Sequence, residues 1–134
     1  MASELRVNTL KDASGNNSVA LSTVAEGSAK AWASYNGSGT TFADSFNMTS
    51  ATDNGTGNYT FTIANDMGNA NYAASTIIHP STSTSTAIHT CEADCSAGYL
   101  AGSLRVENAY STLSTARSEF DPVKCAVTIH GDLA

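Results

Sequence analysis

The chain has 134 residues, enough for one domain with one hydrophobic core and too few for a multidomain enzyme. Only 13% of the residues are charged and 41% are hydrophobic, and Ser, Thr, Asn and Gly fill much of the rest, a composition that favours strands and turns over helices. The net charge of -6, with six scattered Lys and Arg residues, leaves no basic patch for phosphate groups and argues against nucleic acid or an anionic membrane as a partner.

The N-terminal segment, residues 1–28, has the pattern of an extended arm. Residues 4–10 and 18–24 alternate apolar and polar side chains and predict two short strands with a turn between them. The segment offers too little apolar surface for a core, so we expect it to pack against another chain or a host particle. It lacks the features of a secretory signal, and no run in the sequence approaches the roughly 20 apolar residues of a membrane span, so we expect a soluble protein made in the cytoplasm.

Strand patterns are stronger from residue 29 onward. Tyr59, Phe61 and Ile63 follow a strict period of two and predict a half-buried strand with these side chains on one face. Residues 30–35 predict another strand, which ends in Asn36-Gly37, the dipeptide best suited to the positive φ angles of a tight hairpin turn. The same reasoning predicts strands at residues 40–48, 72–79, 103–108 and 124–130, and turns at residues 52–58 and 65–71.

Residues 80–97 differ in character, because a Ser/Thr repeat at residues 81–86 leads into a segment that contains His and Cys residues. We interpret the repeat as an exposed loop or edge strand. In total the sequence shows about eight strands separated by turns and no helix. These patterns predict an all-β fold, an antiparallel β-sandwich or jelly-roll-like domain at residues 29–134.

Five segments carry a resemblance to a known family: K-A-W-A-S-Y-N-G-S-G-T at residues 30–40, S-F-N at 45–47, T-D-N-G-T-G-N-Y-T-F-T at 52–62, M-G-N-A-N-Y at 67–72 and V-T-I-H-G-D-L-A at 127–134. Together they resemble the C-terminal domain of tail fibre proteins from marine and other bacteriophages. The resemblance covers roughly residues 29–79 and 100–134, and residues 80–97 depart from it. Only about 28 residues precede the domain, so we expect a short appendage without a long shaft.

The resemblance implies a homotrimer and a structural role in a phage virion. This role can take two forms, a short tail-fibre-like appendage that takes part in host attachment or a part of the capsid. In the first, residues 1–28 attach the trimer to the tail hub and interlock its chains, and the loops meet a host surface glycan. In the second, the trimer is a head fibre or decoration protein that binds the major capsid protein and contacts no receptor. Trimer formation also has a physical motive, because a small β domain with open sheet edges gains stability by burying them against symmetry mates.

Six His and Cys residues are candidate metal ligands: His79, His89, Cys91, Cys95, Cys125 and His130. The spacing C-x3-C is not that of a zinc knuckle, and no second ligand pair accompanies it, so no metal or cofactor is predicted. A metal site shared between chains on a trimer axis remains the alternative, because such a site needs only one or two ligands from each chain. A disulfide between Cys91 and Cys95 is the alternative in an oxidising exterior, and free thiols are the default.

Two carboxylate pairs have the spacing of neighbours in a loop, Glu92 with Asp94 and Glu119 with Asp121. Either pair can be imagined as the acid and base of a glycosidase, a polysaccharide-cleaving enzyme, but solvated acidic patches are the better interpretation. The sequence has no G-x-S-x-G elbow, phosphate-binding loop or H-E-x-x-H motif, and we predict that the protein is not an enzyme. Most aromatic side chains are predicted to pack in the core or between subunits, and Tyr99 is kept as a candidate sugar contact.

Overall fold

The computed structural model describes residue 3 and residues 6–37, 41–80 and 87–134 of the chain. The described part forms twelve strands and one short helix, in the order β1 (Thr9–Lys11), β2 (Ser18–Ala20), α1 (Leu21–Gly27), β3 (Ala31–Tyr35), β4 (Phe42–Phe46), β5 (Met48–Gly55), β6 (Asn58–Ile63), β7 (Ala73–His79), β8 (Ile88–Ala93), β9 (Tyr99–Leu100), β10 (Ser103–Ser111), β11 (Ser118–Glu119) and β12 (Lys124–His130). The Ser/Thr repeat at residues 81–86 lies outside the described residues. In the described part of the chain, no helix has the length and apolar character needed to cross a membrane.

Two antiparallel sheets hold ten of the strands, and β1 and β2 form a separate hairpin. The four-stranded sheet has the order β4-β3-β12-β7. In the six-stranded sheet β10 is central, with β6 and β11 along one side, β8 and β9 along the other, and β5 beyond β6. The prediction of an all-β chain with antiparallel sheets is confirmed.

One hydrophobic core takes side chains from both sheets. Tyr59, Phe61 and Ile63 in β6 are buried, with exposed fractions of 0, 0 and 3%, so the predicted strand and its inward face are confirmed. This follows from the strand repeat, which turns alternate side chains to the same face. Alternate residues of the strands predicted at residues 103–108 and 124–130 are buried as well: Leu104, Val106, Cys125, Val127 and Ile129.

The N-terminal segment differs from its prediction at residues 21–24, which were expected to continue a strand. The strand ends at Ala20, and α1 follows with no side-chain N-cap and no buried residue. Leu21 and Val24 are three apart, a spacing that places both on one helix face, and an alternation of so few apolar residues does not separate strand from helix. No described residue of the segment is buried.

Two predicted turns also need correction. Asn36 and Gly37 do not adopt the positive φ angles of the predicted hairpin turn. Gly37 is instead required by close packing, because a Cβ atom there would lie 2.3 Å from the carbonyl oxygen of Pro122. The predicted turn at residues 52–58 is shorter than expected, because β5 extends to Gly55 by pairing with β6 across two irregularities in register.

Candidate interaction surface at the β7–β8 edge

Two of the segments that carry the family resemblance, residues 30–40 and 52–62, meet at a partly buried polar node beside the core. The Tyr59 hydroxyl donates a hydrogen bond of 2.6 Å to Asp121 Oδ1 and lies 3.1 Å from the Gly37 carbonyl oxygen. The Gly57 backbone N–H also donates to Asp121 Oδ1, at 2.7 Å. Burial and the adjacent Asp121 carboxylate raise the pKa of Tyr59, so its phenol stays protonated and keeps donating. The node ties the β5–β6 turn to the segment between β11 and β12.

Asn47, from the second segment, holds the corner where the chain leaves β4 in one sheet and enters β5 in the other. Its φ angle is 55°, a left-handed conformation that asparagine tolerates better than most residues. Its side-chain N–H donates to the Lys30 carbonyl oxygen at 2.9 Å, and its side-chain oxygen accepts from the Asn65 backbone N–H at 2.8 Å. The residues of these segments therefore have clear structural tasks at turns and chain crossings.

The two carboxylate pairs considered for catalysis are divided among different partners. Glu92 and Glu119 form ion pairs with Arg117, with nitrogen to oxygen distances of 2.8 and 3.9 Å. Asp94 is held in its own turn, and Asp121 belongs to the polar node described above. Each of the four carboxylates therefore has a structural partner.

Asp94 organises the turn that follows β8. Its Oδ1 accepts hydrogen bonds from the Ser96 hydroxyl at 2.6 Å and the Ser96 backbone N–H at 2.8 Å, and its Oδ2 lies 3.4 Å from Arg105 Nε. The bonds from Ser96, with one from Asn58, hold the pKa of the Asp94 carboxyl well below its usual range. The ionised form is therefore the form that stabilises this turn.

We expect Asp94 to make the protein sensitive to acid. Because its pKa is lowered in the folded state, its contribution to the free energy of unfolding is present above the unfolded pKa of about 4 and is lost as the pH falls towards the folded value. Urea denaturation of the natural protein and of Asp94→Asn should show a stability difference that shrinks between about pH 6 and about pH 2. A difference that stays constant with pH would contradict this role.

The candidate metal ligands are spread over several strands. His79 is exposed in β7 opposite Lys124, whereas His89 packs its ring against Phe120 at a centroid distance of 5.3 Å. Among the described residues, no group of three or more His, Cys, Asp or Glu side chains could hold a metal ion. All three cysteines are free, Cys95 is exposed, and Cys91 lies beside Cys125, so the structure does not contain the Cys91–Cys95 disulfide considered from the sequence.

The aromatic side chains of the core pack as the sequence predicted. The ring of Tyr35 lies 4.6 Å from that of Tyr59 and 5.6 Å from that of Phe61, centroid to centroid. Tyr99 is 38% exposed and its ring lies 5.0 Å from that of Tyr72, whose hydroxyl donates to the backbone of the β9–β10 hairpin. The role of Tyr99 as a sugar contact stays a prediction.

An open edge of both sheets is the feature that sequence reasoning missed. Strands β7 and β8 are the last strands of their sheets on one side of the described chain, and each pairs along one side only. Ile77 in β7 and Ile88 in β8 are 70 and 71% exposed, more than most other large apolar side chains of the described residues. We call these two strands the β7–β8 edge. A groove of about 330 Å³ opens along it, lined by Thr76, Ile77, Ile78, Pro80, His89 and Cys91.

One signal for this edge was present in the sequence. Strand β7 reads A-A-S-T-I-I-H, with no Lys, Arg, Asp, Glu or Pro. Edge strands that stay exposed usually carry charge or proline, which prevent pairing with another chain. Strand β7 therefore lacks the residues that usually prevent an exposed edge from pairing with another chain.

The described residues therefore form an all-β structure with antiparallel sheets, in which β7 is an open, uncharged edge strand. Comparison with protein-family models, with curated protein sequences and with solved structures finds no match to the chain.

Proposed function

We propose that the chain is a structural protein of a bacteriophage virion, in which three copies form a short tail-fibre-like appendage that takes part in host attachment. Support comes first from the resemblance of five sequence segments to the C-terminal domain of phage tail fibres. The structural roles of residues in those segments add further support, because Gly37, Asn47 and Tyr59 hold turns and chain crossings. A set of fold-determining residues is what related domains would be expected to share.

We further propose that the two sheets are the layers of a β-sandwich. The buried side chains of both sheets belong to one core, and the chain passes from one sheet to the other at Asn47 and again between β7 and β8. Layers of this kind leave the loops at the ends of the domain free for contacts with a host surface.

The proposal of a trimer is supported by one observation: the edge strand β7 has no charged residue and exposes Ile77. Unpaired backbone N–H and C=O groups beside an apolar side chain favour pairing with another chain. A second copy of the same chain is the partner that the resemblance implies, and cyclic symmetry would cover all three edges with one type of contact. Residues 1–28, of which no described residue is buried, are proposed to interlock the chains and to attach the trimer to the virion.

Light scattering on the purified protein tests this assembly. We expect a mass about three times the 13.8 kDa of one chain at micromolar concentration. Replacing Ile77 by Lys places a charge on the edge that the partner covers, so Ile77→Lys should shift the mass to that of a single chain. A monomer for the natural protein would overturn the proposed trimer.

Phe46→Lys is the matched control. Phe46 is a 54% exposed apolar side chain in β4, the edge strand on the other side of the same sheet. If β7 forms the contact, this variant keeps the trimer mass. Loss of the trimer in Phe46→Lys but not in Ile77→Lys would move the contact to the β4 side.

Attachment to the host is tested with intact particles. Purified trimer should compete with phage for adsorption to host cells, and the protein should be found at the copy number of a tail component. A copy number that matches the capsid, with no competition for adsorption, would support a capsid decoration protein instead. Release of reducing ends from host glycans would contradict a purely structural role.

A further inference from the structure

Cys91 and Cys125 bring two thiols together between the sheets, although they are 34 positions apart in the sequence. Cys91 lies on β8 of the six-stranded sheet and Cys125 on β12 of the four-stranded sheet. Their Sγ atoms are 3.6 Å apart, and both side chains border the common core. A disulfide requires a sulfur to sulfur distance of about 2.05 Å, so a shift of about 1.5 Å, within reach of side-chain rotation, would join them.

The two thiols differ in access. Cys125 is fully buried, whereas Cys91 is half-buried and lines the groove of the β7–β8 edge. The position of Cys91 in an outer strand gives a small reagent a route to its sulfur that does not pass through the core. Of these two thiols, Cys91 is therefore the one that a dissolved oxidant meets first.

Their hydrogen bond favours the same order of reaction. The thiol of Cys125 stabilises the thiolate of Cys91 and lowers the pKa of Cys91, and the side chain of Thr76 adds to this effect. The hydrogen bond to Cys91 and burial raise the pKa of Cys125. Thiolates are the reactive form of cysteine, so Cys91 is the attacking group and Cys125 the resolving group.

We propose that Cys91 and Cys125 are a redox site that closes to a disulfide between the two sheets when the protein meets a low-molecular-weight disulfide. The Cys91 thiolate attacks the reagent, forms a mixed disulfide and releases one reagent thiol. Cys125 then gives up its proton and attacks Cys91 Sγ, which releases the second reagent thiol. Two protein thiols are oxidised and one reagent disulfide is reduced to two thiols, so atoms and electrons balance.

The bond would fasten the open edge to the centre of the opposite sheet. It joins an outer strand, β8, to β12, which pairs on both sides with β3 and β7. Closing a loop of this length restricts the unfolded chain, so the oxidised protein should melt roughly 10 °C above the reduced protein. The inference concerns the chain alone and does not rest on the proposed role in a virion.

Peptide mapping of Cys95→Ser tests the pairing without altering the core. The protein is incubated with oxidised glutathione, alkylated to block free thiols, unfolded, and cleaved with trypsin and a Glu-specific protease. Cleavage after Lys30, Glu92 and Lys124 places Cys91 in residues 31–92 and Cys125 in residues 125–134. We expect these two peptides to be linked, the intact protein to lose two alkylation sites, and the link to disappear on reduction.

The natural chain and a double variant complete the test. In the natural chain, cleavage at Glu92 and Arg105 places Cys95 in residues 93–105, so a Cys91–Cys95 bond would link different peptides. That link, or glutathione retained on Cys91 with no bond to Cys125, would overturn the proposal. Cys91→Ser/Cys95→Ser keeps the buried Cys125 and should show no rise in melting temperature on oxidation, and a rise of similar size in this variant would also overturn it.

Discussion

Gly57→Ala should lower the free energy of unfolding by about 4 kcal/mol or abolish folding, because two costs combine at this position. Gly57 has a φ angle of +72°, which costs a residue with a Cβ atom about 1–2 kcal/mol. A Cβ atom there would also lie 2.5 Å from the Asn108 carbonyl oxygen and 3.0 Å from the Phe120 backbone nitrogen. Both neighbours are backbone atoms, so no side chain can move aside to make room. Urea denaturation followed by circular dichroism measures the loss.

Gly15→Ala separates the two costs. Gly15 has a φ angle of +73°, close to that of Gly57, but no atom lies within 4 Å of the Cβ that alanine would add. This variant should suffer the backbone strain without the clash, so Gly57→Ala should lose at least about 2 kcal/mol more than Gly15→Ala. Equal losses would show that close approach to Asn108 is not what requires a glycine at position 57.

The elements that the sequence predicted well are those with a complete local signal. Tyr59, Phe61 and Ile63 repeat with period two inside one strand, and a period of two decides which face is buried without reference to any other part of the chain. Helix α1 was missed because its apolar positions are few and its tertiary contacts bury no residue. Short segments of this kind carry too little pattern to separate helix from strand.

The candidate surface and the thiol pair depend on topology, which the sequence does not display. With free thiols as the default, nearness in sequence suggested Cys95 as the alternative disulfide partner of Cys91. The fold instead places the Cys125 Sγ atom, 34 positions away in sequence, 3.6 Å from the Cys91 Sγ atom. In the same way, Glu119 and Asp121 are neighbours in sequence, yet Asp121 bonds to Tyr59, 62 positions away. Contacts between sheets follow from strand order, and strand order is a property of the whole chain.

Strand β7 was predicted from the sequence, but its position at an edge was not. The strand itself was predicted, at residues 72–79 against the observed Ala73–His79. Its position at the edge of a sheet can be recognised only when its partner strands are known. In the described chain, β7 pairs with β12 along one side only. The lack of charge in β7 becomes informative only once its position at the edge of the sheet is known.

Phe61→Ala should reduce the free energy of unfolding by about 3–5 kcal/mol, a large part of the roughly 5–15 kcal/mol that stabilises a domain of this size. Phe61 is fully buried in β6, and its ring lies 5.6 Å from that of Tyr35 and 5.9 Å from that of Phe42. These aromatic neighbours come from the opposite sheet, so removal of the ring leaves a cavity between the two sheets. Backbone pairing within each sheet prevents this cavity from closing. The melting temperature and the urea midpoint should both fall.

Phe46→Ala provides the same chemical change at an exposed position. Phe46 lies in β4 and is 54% exposed, so its truncation removes little buried surface and should cost less than about 1 kcal/mol. The contrast tests whether the core between the sheets, and not aromatic content as such, stabilises the fold. A loss for Phe61→Ala no larger than that for Phe46→Ala would mean that the two sheets do not pack through Phe61, since a cavity at a packed interface always costs more than truncation at the surface.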